Sequence, residues 1–140
     1  MKNKIYPCLW FDGNAGEAAA FYCSIFKTST ITSENPMVVN FELNGTRFMG
    51  LNGGPNYKFT PATSFVIECE TQEEIDYYWE KLGTGGKYDQ CGWLDDKFGV
   101  SWQIVPTILG SLMSDPSRAE RVINAFLQMK KFEIDKLLNA

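Results

Sequence analysis

The stretch Ile5-Tyr6-Pro7-Cys8-Leu9-Trp10-Phe11-Asp12-Gly13-Asn14, with Ala18, Phe21, Tyr22, Ile25 and Phe26 after it, decides the fold because it recurs. Ile5 to Phe11 reads as a strand stopped by Asp12-Gly13. The apolar residues beyond fall at i, i+3, i+4, i+7 and i+8, which is one face of a helix, and Asn14 with Glu17 predicts its cap. A shift of 56 positions places Leu9 on Phe65, Phe11 on Ile67, Glu17 on Glu73, Phe21 on Tyr77, Tyr22 on Tyr78 and Phe26 on Leu82. A single register through all of these positions predicts two copies of one βαβββ module.

Between the copies, Val38 to Leu43 and Thr46 to Leu51 flank Asn44-Gly45, the dipeptide that most favours a two-residue hairpin turn. In that register Phe41 faces Phe48 on one side of the sheet and Glu42 faces Arg47 on the other. The second copy opens with a strand from Ser64 to Glu70. Thr71 and Glu74 then form a capping box for a helix with Ile75, Tyr78, Trp79 and Leu82 on its apolar face. Gly83 to Gly86 stops that helix, and a last hairpin runs through Tyr88 to Leu94 and Phe98 to Val105, turning at Asp95-Asp96-Lys97. The fold class is therefore α+β. Residues 1–106 form a paired domain, with modules at about 4–56 and 57–106, and 107–140 form a helical extension. In the extension Asp115-Pro116 predicts a helix start, and Ala119, Val122, Ile123, Phe126 and Met129 or Lys130 keep helical spacing. Its apolar side must dock either on its own domain or on a partner subunit.

The composition narrows the chemistry. The chain of 140 residues contains no histidine, which removes the Ser-His-Asp triad, the Cys-His dyad, the HExxH helix and imidazole metal sites. Thirteen basic and seventeen acidic residues are evenly spread, with no basic run longer than Lys130-Lys131, so nucleic acid is not expected as a partner. The apolar stretch Ile5 to Phe11 is too short for a signal or a membrane span, and a cytoplasmic setting is expected. Cysteines 8, 23, 69 and 91 lack metal-binding spacing and are expected to be free thiols.

Cys8 to Asn14, Glu17 to Tyr22, Leu51-Asn52-Gly53-Gly54-Pro55, Cys91-Gly92-Trp93-Leu94 and Asp96 to Gln103 together resemble the PhnB-like branch of the vicinal oxygen chelate superfamily. This branch is also called demethylubiquinone methyltransferase-like, and the superfamily includes the glyoxalase and bleomycin resistance proteins. The resemblance implies two βαβββ modules whose sheets curl into an open cup, a homodimer, and small molecules bound on the concave face. It also implies where metal ligands stand in the metal-dependent members: among Tyr6, Pro7 and Cys8, near Met49 to Leu51, at Ser64 and at Gln103. None of these residues suits a divalent ion, so no metal is expected.

If Leu9, Phe11, Phe65, Ile67 and Cys69 face the helices, strand alternation turns Cys8, Trp10, Ser64, Val66 and Glu68 into the cup, with Ser101, Gln103 and Val105. Asn40, Glu42, Arg47 and Met49 are assigned to the same side. Glu42 and Arg47 read either as a solvated pair or as ligand contacts. Glu68 reads either as a solvated rim residue or as a general base with a raised pKa, and it is the one catalytic candidate. Trp10 and Trp93 are either aromatic walls or core. Cys91 reads as a buried thiol. The Gly83 to Gly86 run does not follow a strand and open a helix, so S-adenosylmethionine binding of the usual kind is not expected. A metal-free cup binding a small organic molecule is the leading reading. An enzyme of the same superfamily, methyltransferase-labelled or a metal-dependent lyase or dioxygenase, and a structural or regulatory dimer are the alternatives.

Overall fold

A computed structural model describes residues 4–140. The chain divides into two compact units, the first ending at Phe59 and the second formed by Thr60–Ala140. In the first, β1 (Cys8–Phe11) leads through α1 (Ala15–Ile25) to β2 (Ser29–Glu34), β3 (Val38–Leu43) and β4 (Thr46–Asn52). In the second, β5 (Ser64–Cys69) leads through α2 (Gln72–Gly83) to β6 (Lys87–Tyr88), β7 (Trp93–Asp95) and β8 (Ser101–Pro106). The sheet orders are β1-β4-β3-β2 and β5-β8-β7-β6, with the first and last strands of each module paired in parallel. Topology is thus repeated along with the apolar pattern.

Within the first unit, Asn44 and Gly45 both take positive φ, as the two-residue turn requires, and this sets Phe41 opposite Phe48 and Glu42 opposite Arg47. The Phe41 and Phe48 rings stack 5.4 Å apart, and Tyr22 from α1 lies 6.1 Å from Phe41. Leu9, Phe11, Val39, Phe41, Leu43 and Phe48 are all buried on this face. Alternation leaves the opposite face without a helix.

The predicted Asn14 cap is corrected. Asn14 makes no side-chain cap bond; the Ala15 N–H donates instead to Oδ1 of Asn52, 2.8 Å away at the end of β4. Asn52 also donates to the Pro36 carbonyl, so one side chain ties the helix start to the sheet. In α2 the capping box is present. The Glu74 N–H donates to Thr71, and the Glu74 carboxylate reaches back to the N–H of Glu70.

The last hairpin differs from the expected one. The strand anticipated from Tyr88 to Leu94 is interrupted at Cys91-Gly92, both with positive φ, and β8 starts at Ser101 rather than at Phe98. Asp96 causes the late start. It is only 2% exposed, and its carboxylate accepts from the backbone N–H groups of Phe98 and Val100 and, at 2.9 Å, from Nε1 of Trp102. A buried charge held by that many donors folds residues 96–100 into a tight turn.

The extension contains α3 (Leu109–Met113), α4 (Ala119–Phe126) and α5 (Ile134–Leu138). The helix expected to begin at Asp115-Pro116 begins instead at Ala119. Asp115 forms a turn in which its carboxylate accepts from the Ser117 N–H and hydroxyl, and these bonds hold its pKa below the usual carboxylate range. The extension docks on its own unit. Val122, Met129, Phe132 and Leu137 are buried, and the Cys91 and Gly92 N–H groups donate to the carbonyls of Met129 and Lys130. Gln72 of α2 donates to the Phe132 carbonyl and accepts from the Ile134 N–H, while Lys131 pairs with Asp76 at 2.9 Å.

Replacing Asp96 by Ala leaves three donors facing an empty site and is expected to cost about 3 kcal/mol of stability, read from the urea midpoint. The bonds from Lys131 and Gln72 hold the Asp76 pKa below its unfolded value. Its stabilising contribution is therefore complete above the ordinary carboxylate range and is lost as pH falls through the folded value. Asp76→Asn is expected to flatten that acid limb slightly, since the pair is solvent-exposed, in a melting series from neutral to acid pH.

Candidate functional site

Strand register collects the expected residues on the open face of each sheet. In the first unit Cys8 lies beside Met49 and Met49 beside Asn40; Trp10 lies beside Leu51 and Leu51 beside Val38; Arg47 lies beside Glu42. In the second, Ser64 lies beside Ser101 and Ser101 beside Asp95; Val66 lies beside Gln103 and Gln103 beside Trp93; Glu68 lies beside Val105. Val66, at 55% exposed, shows how open this second face is.

The individual environments sort these residues by chemistry. Trp10 donates its indole N–H to the Gly54 carbonyl at 2.8 Å, and Tyr57 meets its ring edge to face at 4.9 Å. The glycine-rich loop after β4 therefore clasps Trp10, which is half-buried. Trp93 is likewise half-buried on its own sheet. Glu42 and Arg47 are cross-strand neighbours, yet the solvated pair, one of the two readings, is not among the ion pairs of the described residues. The guanidinium lies 3.7 Å from the Tyr6 ring centroid and its Nη2 is 3.5 Å from Oδ1 of Asn40. Glu68 is exposed and forms no ion pair among the described residues, which places it at the rim of the second sheet.

Ser101 is only 1% exposed and donates to Oδ1 of Asp95 at 2.7 Å, so its hydroxyl is engaged rather than presented to a ligand. Gln103 donates from Nε2 to Oγ of Ser64 at 3.0 Å. All four cysteines are free. Burial pushes the Cys69 thiol up to about 12, with the Glu74 carboxylate adding to the effect, and desolvation also raises Cys8, so neither is a thiolate at neutral pH. Cys91 is half-buried with Sγ 3.7 Å from the Phe126 carbonyl. Sequence reasoning missed Tyr6 as the platform for Arg47, and it missed Thr32 and Ser33, which a bulge in β2 brings beside Asn40. A bulge has no pattern of its own in the sequence.

Two βαβββ modules with parallel outer pairs and one open face per sheet define a protein of the glyoxalase/bleomycin resistance type. A family model described as 3-demethylubiquinone-9 3-methyltransferase matches residues 3–105. The chain belongs to this PhnB-like family of the vicinal oxygen chelate superfamily. Among solved structures it is similar to a PhnB protein from Bacillus cereus, with 37% identity and a TM-score of 0.69 over 75% of this chain and all of that one. A protein from Pseudomonas aeruginosa is 20% identical with a TM-score of 0.62, over 75% of this chain and 98% of that one. A glyoxalase/bleomycin resistance protein from Albidiferax ferrireducens is 13% identical with a TM-score of 0.53, over 74% and 98%. The last two share the fold alone. No curated protein matches the chain.

The metal that the superfamily implies does not fit these residues. Ser64 and Gln103 bond to each other as neutral groups, and Cys8 sits beside the thioether of Met49. Among the described residues no three of Cys, Asp and Glu converge. Hard divalent ions need carboxylate or imidazole donors, and none is offered at these positions.

A Cβ on Gly53 would overlap the Trp10 ring. Gly53→Ala is expected to displace the indole, changing the near-ultraviolet circular dichroism and costing about 1–3 kcal/mol by overpacking.

Proposed function

We propose that this protein binds a small organic molecule on the open faces of its sheets without a metal ion. The hydrogen bond from Gln103 to Ser64 carries the reading: a neutral amide–hydroxyl pair stands where the family resemblance implies a histidine and a glutamate ligand in the metal-dependent members. What remains on those faces suits binding. Trp10, Trp93, Met49 and Val66 supply apolar contact, and Asn40, Glu42, Arg47, Gln103 and Glu68 supply polar groups. The methyltransferase in the family's name is not carried over to this chain. Its glycine run Gly83 to Gly86 ends α2 and leads into β6, whereas a nucleotide-type cradle joins a strand to a helix. The same reading includes a homodimer in the cytoplasm, where free thiols persist. No helix among the described residues is long and apolar enough to cross a membrane.

Elemental analysis of protein purified from metal-replete medium is expected to find far less than one divalent ion per chain; a stoichiometric ion overturns the metal-free reading. In a thermal screen of aromatic and polar organic compounds, a native-state binder at about 100 times its Kd is expected to add about 2.7 kcal/mol of stability and raise the Tm. A screen with no shift at all overturns binding.

A further inference from the structure

Beside the first sheet lies a groove of about 480 Å³ lined by Tyr6, Thr32, Ser33, Asn40, Glu42 and Arg47 among others. Two of its walls carry opposite charge, and register places them directly across from each other. Such neighbours ordinarily pair. Here the guanidinium is drawn over the Tyr6 ring, and its Nη2 faces the Asn40 carbonyl oxygen. Asn40 is itself fixed, donating 3.0 Å to the Ser33 hydroxyl that the bulge brings opposite it. The Glu42 carboxylate accepts no hydrogen bond and joins no ion pair among the described residues. The structure thus holds one cation and one anion apart in a single groove.

That separation selects a ligand. A simple anion gains from Arg47 and is repelled by Glu42, and a simple cation meets the reverse. A neutral molecule takes water from both charges without replacing it. A molecule carrying a carboxylate and an ammonium group satisfies both, and the stacked guanidinium still presents a planar fork of N–H donors to a carboxylate. We propose that this groove binds an amino-acid-like zwitterion, its carboxylate on Arg47 and its ammonium on Glu42. The proposal rests on the reading of the open faces as binding surfaces and names the ligand class for one of them.

The test uses the full chain, labelled with nitrogen-15, and three probes that share one aromatic side chain. These are L-phenylalanine, 3-phenylpropionate without the ammonium, and phenethylamine without the carboxylate. Phenylalanine is expected to shift the amides of residues 40–47 at millimolar concentration, with each singly charged analogue at least about tenfold weaker. Arg47→Gln and Glu42→Gln, each checked for folding by the dispersion of its amide spectrum, are each expected to weaken phenylalanine by about tenfold or more, and Glu42→Gln should bind 3-phenylpropionate no worse than the parent does. Equal binding of all three probes, unchanged phenylalanine binding by either variant, or no shift at residues 40–47 with about 20 mM phenylalanine overturns the zwitterion assignment. If the thermal screen still yields a binder whose Tm shift survives both substitutions, the open-face reading stands without it. If that screen yields none, both fall.

Discussion

Parallel pairing of the first strand with the last in each module is the constraint on which the rest of the structure depends. A parallel neighbour cannot be reached by a tight turn, so the chain between must cross over, and here a helix makes the first part of that crossing. The helix covers one face of the sheet. Tyr22 stacks on Phe41 beneath α1, and Ala15 lies so close to Gly50 that a side chain there would be in tight contact. Among the described residues no second crossover helix covers the other face. Residue alternation along each strand then decides what a ligand can meet, because every apolar residue committed to the helix side commits its neighbours to the open side.

This division explains why the absence of histidine has local rather than general consequences. The positions at which the family resemblance implies metal ligands fall among Tyr6, Pro7 and Cys8, near Met49 to Leu51, and at Ser64 and Gln103, and the last two bond to each other. Charge has moved elsewhere on the same faces. Arg47 is steadied by an aromatic ring and Glu42 has no partner among the described residues, while Asp96, the most deeply buried acid of the second module, is held by the backbone of its own turn and by the Trp102 indole.

The extension is held by polar contacts as well as by its apolar side. Gln72 uses both ends of its amide to fasten the backbone on either side of Glu133, and the break in the last hairpin at Cys91-Gly92 offers two N–H groups to residues 129–130. The interruption that spoils a regular strand therefore creates the seat for the tail. Neither half of this contact is visible alone, since a glutamine at a helix start and a cysteine–glycine pair in a strand have many ordinary roles.

Much was legible in the residues themselves. The 56-residue repeat, the Asn44-Gly45 turn and the apolar alternation are local patterns whose period reports the element and its buried side, so the paired modules, the core faces and the open faces could all be read before any coordinates. The capping box at Thr71 was equally local. What could not be read were the bonds between positions far apart in the chain: Asn52 rather than Asn14 at the start of α1, Tyr6 rather than Glu42 as the partner of Arg47, Asp96 drawing Trp102 into a turn, and the tail settling on its own unit. Side-chain type and spacing determine which face a residue occupies, because the backbone period is the same wherever the strand lies. Which of several chemically adequate partners it takes depends on distances that only the folded chain sets.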